Sequence, residues 1–306
     1  MSESKKFSIV IATKNRLPEL QITLAKIAPL LQRQDVKCII CDDGSSDGTS
    51  KYIELNYPQI TLHRNEISKG YLHSRNKLLA MSDSEYAISL DDDAHFLSAD
   101  PLEQIENAFN ENPECGLLAF RIFWGTNPPQ STATRHKQQR VKSFVGCGHA
   151  WRMAAWKSIP DYPEWYVFYG EEDFASFQLF KTSWHILYVP EVLVHHRVDL
   201  GLRKLAKDHN KRLRRSLAAG WFNYLLFVPL HKIPRKMAAS VYMQFRTRIL
   251  KGNPTALKAL VLAFTDVLTA IPKIRANSNR FTDSDYADYF ALEEARLYWK
   301  PENDTD

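Results

Sequence analysis

Cysteine is scarce, with four residues in a chain of 306, so a disulfide scaffold is excluded and a reducing, cytoplasmic setting is expected. Cys38 and Cys41 have C-x-x-C spacing, but they fall inside an apolar run of strand type. Residues three apart in a strand point to opposite faces, so no chelating or redox pair is expected there. Glycine is sparse too, at 11 residues against 15 prolines, which excludes collagen-like and low-complexity classes. No charge-poor apolar stretch reaches the roughly 18 residues of a spanning helix. The first apolar run, Phe7 to Ala12, is shorter than a secretory core and lacks a small-residue cleavage site, so secretion is not expected. What remains is a globular chain, 44% hydrophobic and 25% charged, with room for one large domain or two ordinary ones.

Acidic residues are nearly missing from one stretch. Residues 200–282 carry 17 Lys and Arg against 2 Asp and Glu, whereas residues 1–199 carry 21 against 25 and residues 283–306 carry 2 against 8. The basic stretch calls for an anionic surface.

Along the first 120 residues, short Val/Ile/Leu runs (Phe7 to Ala12, Val36 to Cys41, Ile60 to His63, Tyr86 to Leu90, Gly116 to Phe123) alternate with helical patterns of 10 to 15 residues. Continuous apolar strands separated by helices predict a Rossmann-like, doubly wound α/β fold with a mostly parallel sheet covered on both faces. A polar loop from about residue 125, a strand Val141 to Val145, a turn Gly146-Cys147-Gly148, a helix Glu172 to Thr182 and strands His185 to Val189 and Val192 to His195 follow. Beyond Asp199 the pattern is helical, amphipathic and basic. Residues 1–199 are thus expected to form one α/β domain, divided into halves at about residue 120, and residues 200–306 a helical region with an acidic tail.

Ligands of such sheets bind beyond the carboxyl ends of the strands, which directs attention to Thr13-Lys14-Asn15-Arg16, Asp42 to Asp47, Arg64-Asn65 and Asp91-Asp92-Asp93. Three adjacent carboxylates repel one another unless a cation or donors sit among them, and a divalent metal meets that need. Asp91 and Asp93 share a side of the strand. Gly44 frees the turn after the second strand, Ser46 or Asp47 can cap the next helix, and Asp43 is left facing the crevice. Arg75, one turn into the third helix, can bond a phosphate. Asp173, in the acidic run Glu171-Glu172-Asp173, is a candidate general base whose pKa its carboxylate neighbours would raise. His195 and His196 end a strand, and only one of them can face inward as a metal ligand.

As an ordered set, Ile9 to Arg16, Cys41 to Thr49, Gly70 to Asn76, Leu90 to Asp93, Gly146 to Gly148, Glu172-Asp173 and a final strand-end histidine resemble glycosyltransferase family 2, over about residues 6 to 200. The resemblance implies a GT-A fold and an inverting enzyme that uses a nucleotide-sugar (NDP-sugar) donor. It implies Asp43 against the nucleotide base, with Thr13 and Asn15 nearby, and Arg75 on the diphosphate. Asp91 and Asp93 would form the D-x-D element around Mg²⁺ or Mn²⁺, Asp173 would be the base and His196 the metal-binding histidine. The Gln-x-x-Arg-Trp motif of processive synthases is missing, so transfer of one sugar is expected, with a hexosyl- or deoxyhexosyltransferase as the class.

Two apolar stretches, Trp221 to Leu230 and Ala256 to Ile271, are too short or interrupted to span a bilayer. Flanked by residues such as Arg212, Arg214, Lys236, Arg246 and Lys251, they fit helices lying peripherally on the inner, anionic face of a cell membrane or packing on the catalytic part. The acceptor expected is then a glycan or lipid-linked glycan of bacterial polysaccharide biosynthesis. Nucleic acid is not expected, because no recognised binding motif accompanies the basic stretch. The competing readings are a sugar-phosphate nucleotidyltransferase, which would want a Gly-rich basic triphosphate loop after the first strand, and a non-catalytic membrane-associated scaffold.

Overall fold

The computed structural model describes residues 5–199, 209–296 and 298–300. Strands β1 (Phe7–Thr13), β2 (Val36–Asp42), β3 (Thr61–Arg64) and β4 (Tyr86–Asp91) are parallel, in the order β3-β2-β1-β4. Helices α1 (Leu17–Leu31), α2 (Thr49–Asn56) and α3 (Tyr71–Ala80) form the crossovers. β1 is apolar without alternation because both of its faces are covered. Phe7, Ile9 and Ile11 pack in the cluster that holds Leu20, Leu24 and Ile27 of α1, while Val10 packs with Leu78 of α3. Cys38 and Cys41 divide between the same two clusters, and all four cysteines are free and buried.

The second half departs from a purely parallel sheet. After the short β5 (Ala94–Phe96) and α4 (Pro101–Glu111) come β6 (Cys115–Trp124), β7 (Gln139–Val141) and β8 (Gly148–Arg152). β8 lies antiparallel between β4 and β6. It occupies the residues read as following a turn, and the strand expected at Val141 to Val145 is instead β7, ending at Val141. A short helix α5 (Met153–Trp156) and α6 (Glu171–Phe180) lead to β9 (His185–His196), one strand rather than two. β9 runs parallel to β6, with a register shift where Phe120 pairs Val189 but Arg121 pairs Leu193. Pro190 sits in that shift, where no ladder N–H is required of it. β5 and β7 pair with successive stretches of β9.

Helices α7 (His209–Phe227), α8 (Ile233–Gln244), α9 (Pro254–Ala276) and α10 (Asp283–Ala291) follow. The boundary expected at residue 199 lies against residues 200–208, outside the described residues. The helices share a core with the sheet: Trp221, Phe227 and Ala263 belong to the same buried cluster as Leu72, Trp151 and Phe174. The acidic tail, expected to belong with the helical region, returns to the sheet. Trp299 is buried, its N–H donates to Ile122 O at 2.6 Å, and its ring lies between Phe123 and the Arg121 guanidinium.

Because helices and sheet share one core, Trp221→Ala is expected to cost about 3–5 kcal/mol and to shift a single unfolding transition. Two separated transitions in calorimetry, only one of them moved, would show independent units instead.

Candidate active site

β1, β2, β4, β6 and β9 all run the same way, since antiparallel β8 separates β4 from β6. Their carboxyl ends therefore meet at one edge of the sheet, carrying Thr13, Asp42, Asp91, Trp124 and His196.

The aspartate run divides its carboxylates between two sides. Asp91 and Asp93 lie with His196, one ligand atom of each falling within 4.8 Å of the others. His196 Nε2 is 3.0 Å from Asp93 Oδ1 and 3.9 Å from Asp91 Oδ2. A six-coordinate cation with bonds of about 2.0–2.1 Å spaces adjacent ligands roughly 3 Å apart, so these residues fit Mg²⁺ or Mn²⁺. Burial works against the charge on His196, but the Cys147 sulfur and the Asp93 carboxylate outweigh it and push its pKa up to about 11. Burial also opposes the charge on Asp93, and the hydrogen bond and charge of His196 outweigh it and hold its pKa below the usual value. His195 faces elsewhere, its Nε2 lying 2.7 Å from Gly125 O.

Asp92 points the other way. It accepts from the Thr13 hydroxyl at 2.8 Å and from Arg16 Nε at 2.8 Å, and its backbone carbonyl accepts from the Thr23 hydroxyl. Burial pushes its pKa up to about 7 against the pull of Arg16. Arg16 also reaches Asp93, and its side chain remains 45% exposed.

Arg75, by contrast, is buried under Asp91, donating to Asp91 Oδ1 at 2.8 Å and to Gly146 O. Its Nη1 has no hydrogen-bond partner. Tyr71, one turn earlier, donates to the same Asp91 oxygen at 3.0 Å and lies under the Arg75 guanidinium. The i, i+4 spacing of Tyr71 and Arg75 was the available signal for this pair.

Asp43 clasps the segment leading into α3. Its Oδ1 accepts from Asn65 Nδ2 and Lys69 N, and its Oδ2 from Ser68 Oγ and Gly70 N. These bonds outweigh burial and lower its pKa. Asn15, at φ 51°, accepts from Ser46 N through Oδ1 and donates its N–H to Ser45 Oγ, tying the first two strand-end loops together. Asp47 accepts from Thr49 and from Leu17 N, holding the first turns of α2 and α1.

The helix carrying the acidic run starts at Glu171, after Gly170 at φ 78°. That phase directs Glu172, not Asp173, toward the cluster. Glu172 lies against Gly146, where a Cβ would come within 2.6 Å of Glu172 Oε1 and 3.5 Å of Arg75 Nη1. Burial, then the Glu171 charge, raises the Glu172 pKa well above the usual carboxylate range. Asp173 is exposed. Of the carboxylates around it, Glu294 of the tail rather than Asp91 to Asp93 raises its pKa. The sequence offered only adjacent acids; the helix start decides which one faces the site. Trp124 is a further residue missed from sequence, its ring parallel to that of His196 at 5.7 Å.

The profile described as "Glycosyl transferase family 2" matches residues 8–160, half of the chain, and spans all of these strand ends except that of β9. The chain belongs to glycosyl transferase family 2. Three solved structures are similar to this family 2 chain in fold. GalNAc-T7 with UDP, GalNAc and Mn²⁺ has TM-score 0.59 and 14% identity over 76% of this chain, which spans 50% of that one. TarS 1-349 of S. aureus has TM-score 0.57 and 15% identity, covering 89% of this chain and 82% of its own. The mannosyltransferase PcManGT from Pyrobaculum calidifontis, with GDP-Man and Mn²⁺, has TM-score 0.53 and 15% identity, covering 94% and 79%. A comparison with curated protein sequences finds no match.

If a cation is held by Asp91, Asp93 and His196, the raised His196 pKa means that its uptake displaces a proton. Mn²⁺ titrated into the protein with UDP or GDP present, in two buffers of different ionisation enthalpy, is expected to release about one proton; release unchanged in His196→Ala would contradict the assignment. Asp43→Asn is expected to cost about 1–3 kcal/mol, because an amide nitrogen cannot accept two of the four bonds. Since the folded pKa of Asp43 is lowered, its contribution is present above the unfolded value of about 3.9 and lost as pH falls through the folded value. Equal acid stability of the variant and the wild type would argue against the clasp.

Proposed function

We propose that this chain is an inverting hexosyl- or deoxyhexosyltransferase that moves one sugar from an NDP-sugar to an acceptor hydroxyl. The observation that carries this reading is the convergence of Asp91, Asp93 and His196 with Glu172 and two arginines at one sheet edge. The nucleotide sugars bound by the proteins of similar fold, UDP-GlcNAc in TarS and GDP-Man in PcManGT, support an NDP-sugar donor.

Asp91, Asp93 and His196 would hold Mg²⁺ or Mn²⁺, which would supply positive charge to stabilise a diphosphate leaving group. Arg16, the exposed arginine of the cluster, contacts that diphosphate, in place of Arg75. Arg75 holds Asp91 and balances the negative charge of Glu171 and Glu172, acting through them. Thr13 and Asn15 set the floor under the nucleotide, and Asp43 fixes the loop against which its base lies. Glu172 takes the base role first considered for Asp173. Its carboxylate accepts the acceptor hydroxyl proton while the new C1–O bond forms on the face opposite the breaking bond to phosphate, and the bond pair leaves with the diphosphate. A raised pKa suits a group that must take a proton near neutrality.

The acceptor is a lipid-linked glycan used in bacterial polysaccharide biosynthesis at the inner face of the cell membrane, a reading supported by the positive charge of residues 209–282.

Release of UDP or GDP from its sugar, in transfer to water or acceptor, tests the base. Glu172→Gln is expected to lower kcat by about 10²–10⁴-fold with donor affinity nearly unchanged, and Asp173→Asn to leave kcat close to wild type. The reverse pattern would return the role to Asp173. Wild-type activity is expected to fall as pH drops through a pKa above the ordinary glutamate value of about 4.3.

A further inference from the structure

Helix α9 packs a mainly alanine face, with Val267 and Ile274, into the core and leaves a row of large apolar residues outside. Ala256, Ala259, Ala263 and Ala270 face the core, while Leu257, Val261, Phe264, Leu268 and Ile271 are 36–56% exposed. Their spacing of four and three residues makes one stripe, about 21 Å long at 1.5 Å per residue. In a soluble helix the burial would be the other way round, because larger side chains gain more from leaving water. The end of α8 and the π turn after it add exposed Tyr242 and Phe245. Patches of this kind mark a contact surface.

The helix is longer than the apolar run read from sequence, and by length and composition Thr255–Ala276 could cross a membrane. Its partners argue against crossing. Asp266 on its flank pairs with Arg214 of α7, and its alanine face is packed into the shared core. Crossing would carry that ion pair and α7 into hydrocarbon.

We propose that the exposed stripe of α9, with the end of α8, docks in the plane of an anionic lipid surface, its side chains at the headgroup and acyl boundary. Charge selects this occupant. Residues 209–282 contain 14 Lys and Arg and one acidic residue, the paired Asp266. A second copy would bring the same positive surface against itself, whereas anionic headgroups complement it and gain about 1 kcal/mol per nearby Lys or Arg. The inference does not depend on the chemistry of the sheet edge.

The test is co-sedimentation of the full chain with phosphatidylcholine vesicles, with and without about one quarter phosphatidylglycerol, beside light scattering in solution. Wild type is expected to partition at least ~10-fold more strongly onto the anionic vesicles, weakening as salt rises from ~0.1 to ~0.5 M. The double variant Val261→Asp with Phe264→Asp is expected to lose at least ~10-fold of that partition while keeping its melting temperature and nucleotide binding. Equal partition onto both vesicles, or equal partition of variant and wild type, would overturn the proposal. So would a dimer that the double variant dissolves, which would assign the stripe to a second copy. Should the double variant fail to fold, Phe264→Cys carrying an environment-sensitive dye replaces it, since the native cysteines are buried. A blue shift on anionic vesicles supports docking, and an unmoved spectrum refutes it.

Discussion

Three consecutive carboxylates at the end of a buried strand repel one another unless positive charge reaches each of them, and the architecture around the site answers that demand. Arg75 rises from α3 to Asp91, Arg16 from the first loop to Asp92 and Asp93, and His196 from β9 to Asp93. Each cation comes from a different part of the chain, so the aspartate run links α3, the β1 loop and β9. Asp92, turned to the other side, is answered by Arg16 and Thr13, and burial is what raises its pKa. Asp91, Asp93 and His196 lie close enough together to hold a divalent cation, so a folding constraint and a candidate binding site coincide in one cluster.

The sheet makes such a meeting possible. Two parallel sets, β3-β2-β1-β4 and β6-β9, are joined through antiparallel β8, which restores a common direction. The tail then braces the second set. Trp299 lies against Phe123 and Tyr298 packs on Trp124 at 3.9 Å, while Trp124 stacks on His196. The last described residues thereby reach His196 through two rings, although they lie beyond the span the family profile matches.

Much of this was legible in the sequence. Continuous apolar runs located β1, β2 and β4 because both faces of those strands are covered, and strand ends pointed to Thr13, Asp43, Asp91, Asp93 and His196. What escaped depended on tertiary context. β8 is short and reads as the sequel to a glycine turn. β9 looked like two strands because Pro190 interrupts it at a register shift that pairing with β6 absorbs. The tail reads as polar and acidic, since one buried tryptophan leaves no periodic signal. The choice between Glu172 and Asp173 rests on where α6 begins, a matter of one residue that Gly170 decides through its left-handed backbone. The buried state of Arg75 could not be read either, because a helical arginine looks the same whether it faces solvent or a carboxylate.

The most direct test of the central claim is the position of the cation. Crystals grown with Mn²⁺ and either UDP or GDP should show an anomalous peak within about 2.0–2.3 Å of Asp93 and His196, with diphosphate oxygens completing the sphere. A nucleotide bound at the sheet edge with no anomalous peak there, or a peak held by other residues, would contradict the account.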